Sequence, residues 1–396
     1  MAIAPGTLRY VVVQPTPFCN IDCSYCYLGN RSAKDRMSFE TLERVFDQIL
    51  TSAWANPNIQ VIWHAGEPLT LPRTYYDRAL EIISRLAGDR IKVGHGFNSN
   101  GTLIDDDWCD FFLRRDAAIG LSIDGPAQIH DRNRLTRSGR GTFDQAARGL
   151  RLLKQRGVPF YVISVLTLQS LGMADELYDF YKAEGVPRVC FNVEEIEGVH
   201  RRSTLEADEA QLEFERFLRR FWNRMLEDRG GIWVREFDHM IKEIMKNPEA
   251  PVVRTLSDPF VHLSVDWQGN FSTFSPELLG QASEAFGNFV LGNLTSGSLA
   301  DAAETPLFRR LDDEIRRGVS NCRESCEYFD VCGGGAPTNK FWETGSFTAT
   351  ETMFCRLMKK AVANVALDII DGLVADGVDP SQDAPSADEP VIQQFA

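Results

Sequence analysis

Six short β-rich runs, separated by amphipathic helical patterns, occupy residues 8–196, and this alternation restricts the fold more than any other feature of the chain. The β-rich runs cover residues 8–15, 59–64, 91–99, 118–124, 160–167 and 188–196, and helical patterns between them include 38–52, 74–86, 143–156 and 174–184. Parallel strands need a crossover connection, so strand–helix–strand repetition predicts an α/β fold with a parallel sheet. Six such units are too few to close an eight-stranded barrel. The expectation is a partial (β/α)6 TIM barrel over residues 1–204, with its site at the C-terminal ends of the strands. Ser38 is expected to cap the first helix, its hydroxyl accepting from a free amide of the opening turn.

The texture changes after residue 204. Residues 205–250 read as bridging helices, with Leu212, Phe214, Phe217, Leu218, Phe221 and Met225 forming an apolar stripe. Residues 251–376 read as a smaller α+β domain. It holds a β-hairpin over 262–274 turning at Gln268-Gly269-Asn270, a short strand over 289–294, a helix over 306–317 and a last helix from about 356. The Pro, Asp and Ser content of residues 377–396 predicts a disordered tail. No internal repeat is visible. The 396 residues carry 42 Lys and Arg against 56 Asp and Glu, a net charge of −14, which argues against nucleic-acid or membrane-surface binding. No apolar run approaches a membrane span and no signal pattern opens the chain, so a cytoplasmic protein is expected.

Nine cysteines stand in a chain of this length and class, where a disulfide framework is not expected. Cys19, Cys23 and Cys26 form C-x3-C-x2-C directly after the first strand. Three thiolates in one loop can hold three corners of a [4Fe–4S] cube and leave one iron open to a substrate or cosubstrate. A zinc site completed by a distant His is the alternative. Cys322, Cys326 and Cys332, then Cys355 at a distance, supply four thiolates, enough to saturate either one further [4Fe–4S] cluster or one structural zinc. Spacing alone does not decide between these. Cys109 and Cys190 read as buried structural thiols.

The first motif resembles the signature of the radical S-adenosylmethionine (SAM) enzymes, with the aromatic Tyr25 inside it. Trp63-His64-Ala65-Gly66-Glu67-Pro68 resembles the family's "GGE" segment, with Ala65 in place of the first Gly. Asn98-Ser99-Asn100-Gly101-Thr102 resembles its "TNGT" turn, Leu121-Ser122-Ile123-Asp124-Gly125-Pro126 its "SLDGP" strand end, and His130-Asp131-Arg132-Asn133-Arg134 its "HDxxR" segment. The resemblance implies that SAM chelates the open iron. Ala65, Gly66 and Glu67 would then hold its amino group, Ser122 and Asp124 its ribose, Arg134 its carboxylate and Tyr25 its adenine, with Asn100 beside them.

The second cysteine group, with Gly333-Gly334-Gly335, resembles the SPASM domain that follows the barrel in many peptide-modifying members. A full SPASM domain carries two clusters. Here Ala336 stands where a further cysteine is expected and the hairpin has none, which implies one auxiliary cluster and two [4Fe–4S] clusters per chain. The strings FNVEEIEG (191–198), STFSPELLG (272–280) and CGGGAPTNKFWETGSF (332–347) resemble the cyclophane-forming peptide maturases of the GrrM/OscB type. The implied partners are a ribosomal precursor peptide, glycine-rich with aromatic residues, and an electron donor such as flavodoxin or ferredoxin. The implied reaction takes a hydrogen from a side-chain β-carbon, joins that carbon to an aromatic ring, and rearomatises the ring by loss of a proton and an electron. Rival readings are a sulfatase-type maturase forming formylglycine, a thioether-forming maturase, and a non-catalytic metal-binding protein. No separate leader-binding domain is expected ahead of the barrel.

Glu194 is the candidate base. In the strand over 188–196, Val189, Phe191 and Val193 suit the helix-facing side, so Cys190, Asn192 and Glu194 should face the barrel interior. Partial desolvation there would raise the carboxylate's pKa towards a range useful for accepting a ring proton. Glu195 is then expected to point outward unless a bulge exchanges the two.

Overall fold

A computed structural model describes residues 3–228, 231–246, 256–375 and 377. Its strands are β1 (Leu8–Val13), β2 (Ile21–Cys23), β3 (Ala55–Trp63), β4 (Lys92–Ser99), β5 (Ala118–Ser122), β6 (Arg134–Thr136), β7 (Phe160–Leu166), β8 (Arg188–Val193), β9 (Trp233–Val234), β10 (His262–Val265), β11 (Asn270–Thr273) and β12 (Gly292–Asn293). The six expected barrel strands lie side by side in chain order, β1-β3-β4-β5-β7-β8, and every neighbouring pair is parallel. The fold is therefore the expected open, mostly parallel α/β sheet.

Strand alternation divides the core in two. Val11, Val13, Val61, Trp63, Phe97, Leu121, Val162 and Phe191 pack outward into the main core with helix residues such as Phe46, Tyr76, Phe111 and Tyr178. Val12, Ile62, Tyr161, Ile163, Cys190 and Trp233 form a smaller cluster on the inner face. The helices Phe39–Thr51, Arg73–Ala87, Asp106–Arg115, Phe143–Arg156 and Ala174–Glu184 supply the crossovers. The Ser38 side chain accepts from Thr41 N at 3.0 Å, the expected cap. Cys109 and Cys190 are buried, also as expected.

Beyond residue 204 the structure departs from the sequence reading in several places, among them the strand expected over 289–294, which is only Gly292–Asn293, and the helix expected over 306–317, which is longer. The charged stretch is not continuous helix: helices Ala210–Glu227 and Arg235–Met245 are separated by β9, which pairs with β8 at the sheet edge. Leu212 is 52% exposed and does not belong to the apolar stripe, whereas Phe214, Phe217, Leu218 and Phe221 are buried. Most consequentially, the hairpin β10–β11 is not part of a detached sheet. β10 pairs parallel to β1, with Tyr10 opposite His262, so the sheet continues as β12-β11-β10-β1 through to β9 and has ten strands. The helix that begins at Pro306 runs on to Ser325 and so carries Cys322. A stretch of wider helical turns, Cys355–Ala361, precedes the last helix Val362–Ala375. Of the expected disordered tail, residues 378–396 lie outside the described residues.

Candidate active site

The loop after β1 brings Cys19, Cys23 and Cys26 together as free thiols. Two devices shape it. Cys23 ends β2, whose register against β6 sets it opposite Arg134. Arg134 Nη1 lies 3.9 Å from Cys23 Sγ, and its guanidinium lies over the Tyr25 ring at 5.4 Å. On the other side Asn100 Nδ2 lies 3.9 Å from Cys19 Sγ and donates to Asn20 Oδ1 at 2.9 Å. Burial pushes the Cys19 thiol up to about 12 and the Cys23 thiol up to about 11, with neighbouring acidic groups adding to the first and Arg134 opposing the second. Thiols so placed ionise when a cation binds them, as iron would. Three unpaired thiols on one loop with N–H donors at two of them fit a three-ligand cluster site.

The SAM-segment residues converge on this loop, with two departures from their expected roles. Asp124 and Arg134 bind each other, Nε to Oδ2 and Nη2 to Oδ1, both at 3.0 Å, and Asp124 is fully buried. The Tyr25 hydroxyl also donates to Asp124. Ribose and carboxylate recognition are thus assigned to residues that form one salt-bridged unit. Glu67 differs more. Its Oε1 accepts from Leu69 N and Ser99 Oγ at 2.9 Å and its Oε2 from Asn100 N at 2.8 Å, with the residue 1% exposed. The carboxylate therefore staples the ends of β3 and β4 instead of reaching for an amino group, and burial raises its pKa to about 7. Gly66 lies against Thr16 and Phe18 ahead of the cysteine loop, where Glu67 N donates to Phe18 O at 2.8 Å. Ser122 ends β5, half-buried.

Cys322, Cys326, Cys332 and Cys355 all line one cavity, together with Gly334, Gly335, Lys340 and Phe354. Cys322 comes from the helix Pro306–Ser325 and Cys332 from the one-turn helix Phe329–Cys332. Cys355 starts the wide-turn segment, and burial pushes its thiol up to about 12, with Cys332 the next cause. The three glycines after Cys332 have φ of 71°, 107° and 75°, left-handed values that other residues adopt with strain. Four thiols around one cavity fit a fully ligated group. Where the sequence lacks further cysteines the space is filled: Phe274 is fully buried and stacks on Phe308 at 6.1 Å, and Ala336 is 6% exposed.

The structure corrects the expectation for Glu194. Its carboxylate accepts from Thr204 N at 2.7 Å and from Thr204 Oγ1, and lies 3.5 Å from His200 Nε2. Those bonds outweigh its desolvation and hold its pKa below the ordinary carboxylate value. Alternation holds only while the strand lasts. β8 ends at Val193, Asn192 accepts from Arg235 Nη2 at 2.7 Å on the inner side, and the next residues obey the loop.

What the sequence reading missed is the company of Glu195. It lies in an acidic group with Glu197, which is buried, and Glu277, half-buried like Glu195 itself, and Glu343 adds its charge from the helix Pro337–Thr344. Asn339 Nδ2 donates to Glu195 Oε2 at 2.7 Å, and the Ser275 hydroxyl donates to Glu277. Burial first, and mutual repulsion second, raise Glu195 and Glu197 well above the ordinary range; burial likewise raises Glu277. Tyr27, just past Cys26, feels Glu277, Cys26 and Glu197, and its buried hydroxyl has no hydrogen-bond partner among the described residues. These carboxylates thus adjoin the cysteine loop. The sequence signal was the density of Glu in FNVEEIEG, to which STFSPELLG adds the single Glu277.

Comparison with known proteins places these features. A model of the radical SAM superfamily matches residues 13–181. An uncharacterised protein of Synechocystis sp. is 37% identical over 370 residues, 92% of this chain and 93% of its own length. The serine-type anaerobic sulfatase-maturating enzyme of Bacteroides thetaiotaomicron is 28% identical over 357 residues, 85% of this chain and 84% of that enzyme. Among solved structures, anSMEcpe with bound AdoMet aligns with a TM-score of 0.76 at 21% identity, covering 95% of this chain and 98% of that one. Streptococcus suis SuiB bound to precursor peptide SuiA aligns with a TM-score of 0.62 at 16% identity, covering 88% and 76%. At those identities the two structures establish the fold.

Proposed function

Since the chain belongs to the radical SAM superfamily, we propose that it is a peptide maturase that joins an aromatic side chain to the β-carbon of a nearby residue in a ribosomal precursor peptide. In this reading residues 1–204 are the SAM-binding barrel, 205–250 bridge, and 251–376 carry one auxiliary [4Fe–4S] cluster. Cys19, Cys23 and Cys26 hold the SAM-binding cluster, and Cys322, Cys326, Cys332 and Cys355 hold the second. When bound, SAM and the reduced cluster supply a primary carbon radical able to take a hydrogen from an unactivated side chain.

The chain's own residues do the rest. Arg134 and Asp124, locked together and covered by Tyr25, give SAM a charged, rigid wall. The backbone of Gly66 presses on the segment that leads into the cysteine loop. Glu195, in the acidic group beside that loop, takes the ring proton in place of Glu194, because its pKa, raised to about 8, makes its deprotonated form the stronger base. An external one-electron donor such as flavodoxin or ferredoxin completes the system.

The observation that carries the cross-linking reading is that the clustered acids Glu195, Glu197 and Glu277 fall in two of the three strings that resemble the cyclophane-forming maturases. A second reading, formylglycine formation at Cys or Ser, is favoured by the Bacteroides relative. Tandem mass spectrometry of the peptide product separates them. A cross-link suppresses backbone fragments between the joined residues, whereas formylglycine leaves the fragment series complete and shifts it at one residue. The base assignment has its own test. Glu195→Gln should keep 5′-deoxyadenosine formation and lower cross-linked product about 10²-fold, a typical acid–base contribution, with Glu194→Gln mild by comparison. Full cross-linking by Glu195→Gln would remove it as the base.

A further inference from the structure

Lys340 is 4% exposed, on the helix Pro337–Thr344, and lines the same cavity as the four cysteines. Lysine is almost never so buried without an ionic partner. Here its Nζ donates to Gly318 O at 3.0 Å and lies 3.2 Å from Cys322 Sγ, and no carboxylate among the described residues is paired with it. A buried ammonium left with one carbonyl and one neutral thiol would be costly, but the same ammonium against a metal-bound thiolate is a charge-assisted hydrogen bond. The donor is also held in place. Gly318 O fixes one direction of the ammonium, and the helix is anchored at Asn339, next along the chain, which reaches across to Glu195.

We propose that Lys340 is a positioning residue for the auxiliary centre, its ammonium bonded to the Cys322 thiolate and setting the reduction potential of the cluster those four cysteines hold. The inference rests on the proposed function, since a zinc at that site has no potential to set. A [4Fe–4S] group ligated by four thiolates becomes one unit more negative on taking one electron, with no bond broken and no proton moved. A fixed positive charge at 3.2 Å favours the more negative state, so Lys340 makes the cluster easier to reduce. That is the direction required of a group that receives the electron released as the aromatic ring reforms.

The experiment is a redox titration, followed by electron paramagnetic resonance, of the anaerobically reconstituted full-length protein and its Lys340→Met, Lys340→Gln and Lys340→Arg variants. Iron is counted first. With about eight irons per chain in each, Lys340→Met and Lys340→Gln should move the auxiliary midpoint to more negative potential. At the parent protein's midpoint their oxidised-to-reduced ratio should rise about tenfold, equivalent to about 59 mV for one electron. Lys340→Arg should recover most of that shift. An unchanged midpoint in both neutral variants at full iron content overturns the proposal. So does loss of the auxiliary irons in all three variants, which would make Lys340 a packing residue. Only about four irons in the unsubstituted protein would overturn the proposed function, and this inference with it.

Discussion

Gly66 stands close against the segment that leads into the cysteine loop. A methyl group on Gly66, at φ 102°, would sit 2.5 Å from Thr16 O and 2.9 Å from Phe18 O. Both are backbone atoms with little freedom to retreat. Gly66→Ala should therefore lose iron from the first site and cost about 2 kcal/mol or more, read from iron content and a urea midpoint. Normal iron and an unchanged midpoint would show that the loop yields. Ala65, also left-handed at φ 63°, carries strain that a glycine would not, so Ala65→Gly should stabilise the fold by up to about 1 kcal/mol. The sequence made Ala65 legible as a departure from the family but not as a strained residue, because strain depends on a φ that no neighbour dictates. The seven cysteines were legible for the opposite reason: ligand spacing is a property of the chain itself. The capture of Glu194 by Thr204 was not, since alternation loses its force one residue past the last ladder bond.

At the scale of elements, the six barrel strands and their helices could be read because each is local: a period of two or of 3.6 residues written into a short stretch. The joining of β10 to β1 could not. Tyr10 and His262 are distant in sequence, and a parallel pair leaves no turn between its strands to mark it. That pairing carries Glu277 from beyond β11 to the group around Glu195 and Glu197. The second cysteine group likewise depends on element ends: one cysteine near the close of the helix Pro306–Ser325, one before three left-handed glycines, and one opening the wide helical turn. Replacing any of Cys322, Cys326, Cys332 or Cys355 by Ala should reduce cross-linked product more than 5′-deoxyadenosine, since a fully ligated group leaves no position for SAM. Equal loss of both in soluble protein would mean that the second group serves SAM cleavage itself. Cys19, Cys23 and Cys26, all changed to Ala, should abolish 5′-deoxyadenosine; its persistence would place SAM elsewhere.

For the molecule as a whole, the buried Glu197 is a stability cost above the ordinary carboxylate range. Glu197, 5% exposed, keeps its proton in the fold at pH values where the unfolded chain has already released it. Its folded pKa being the higher, the fold is favoured at low pH and loses stability as pH rises from the unfolded value of 4.5 through the folded one. Glu197→Gln should then be more stable than the parent protein in alkaline solution, with the difference vanishing on acidification below the ordinary carboxylate range. A urea series at several pH values reads this directly, and an advantage that grows towards acid would reverse the argument. Fold, cysteine groups and clustered acids together make one claim, that a hydrogen leaves a peptide β-carbon for the radical derived from SAM at Cys19, Cys23 and Cys26. Its most direct test supplies the reconstituted enzyme, under anaerobic reducing conditions, with precursor peptide deuterated at its β-carbons, and weighs the 5′-deoxyadenosine formed. The account predicts deuterium in 5′-deoxyadenosine, one atom for each peptide that loses one deuterium and one ring hydrogen. Modified peptide accompanied by unlabelled 5′-deoxyadenosine, or by none, would contradict it.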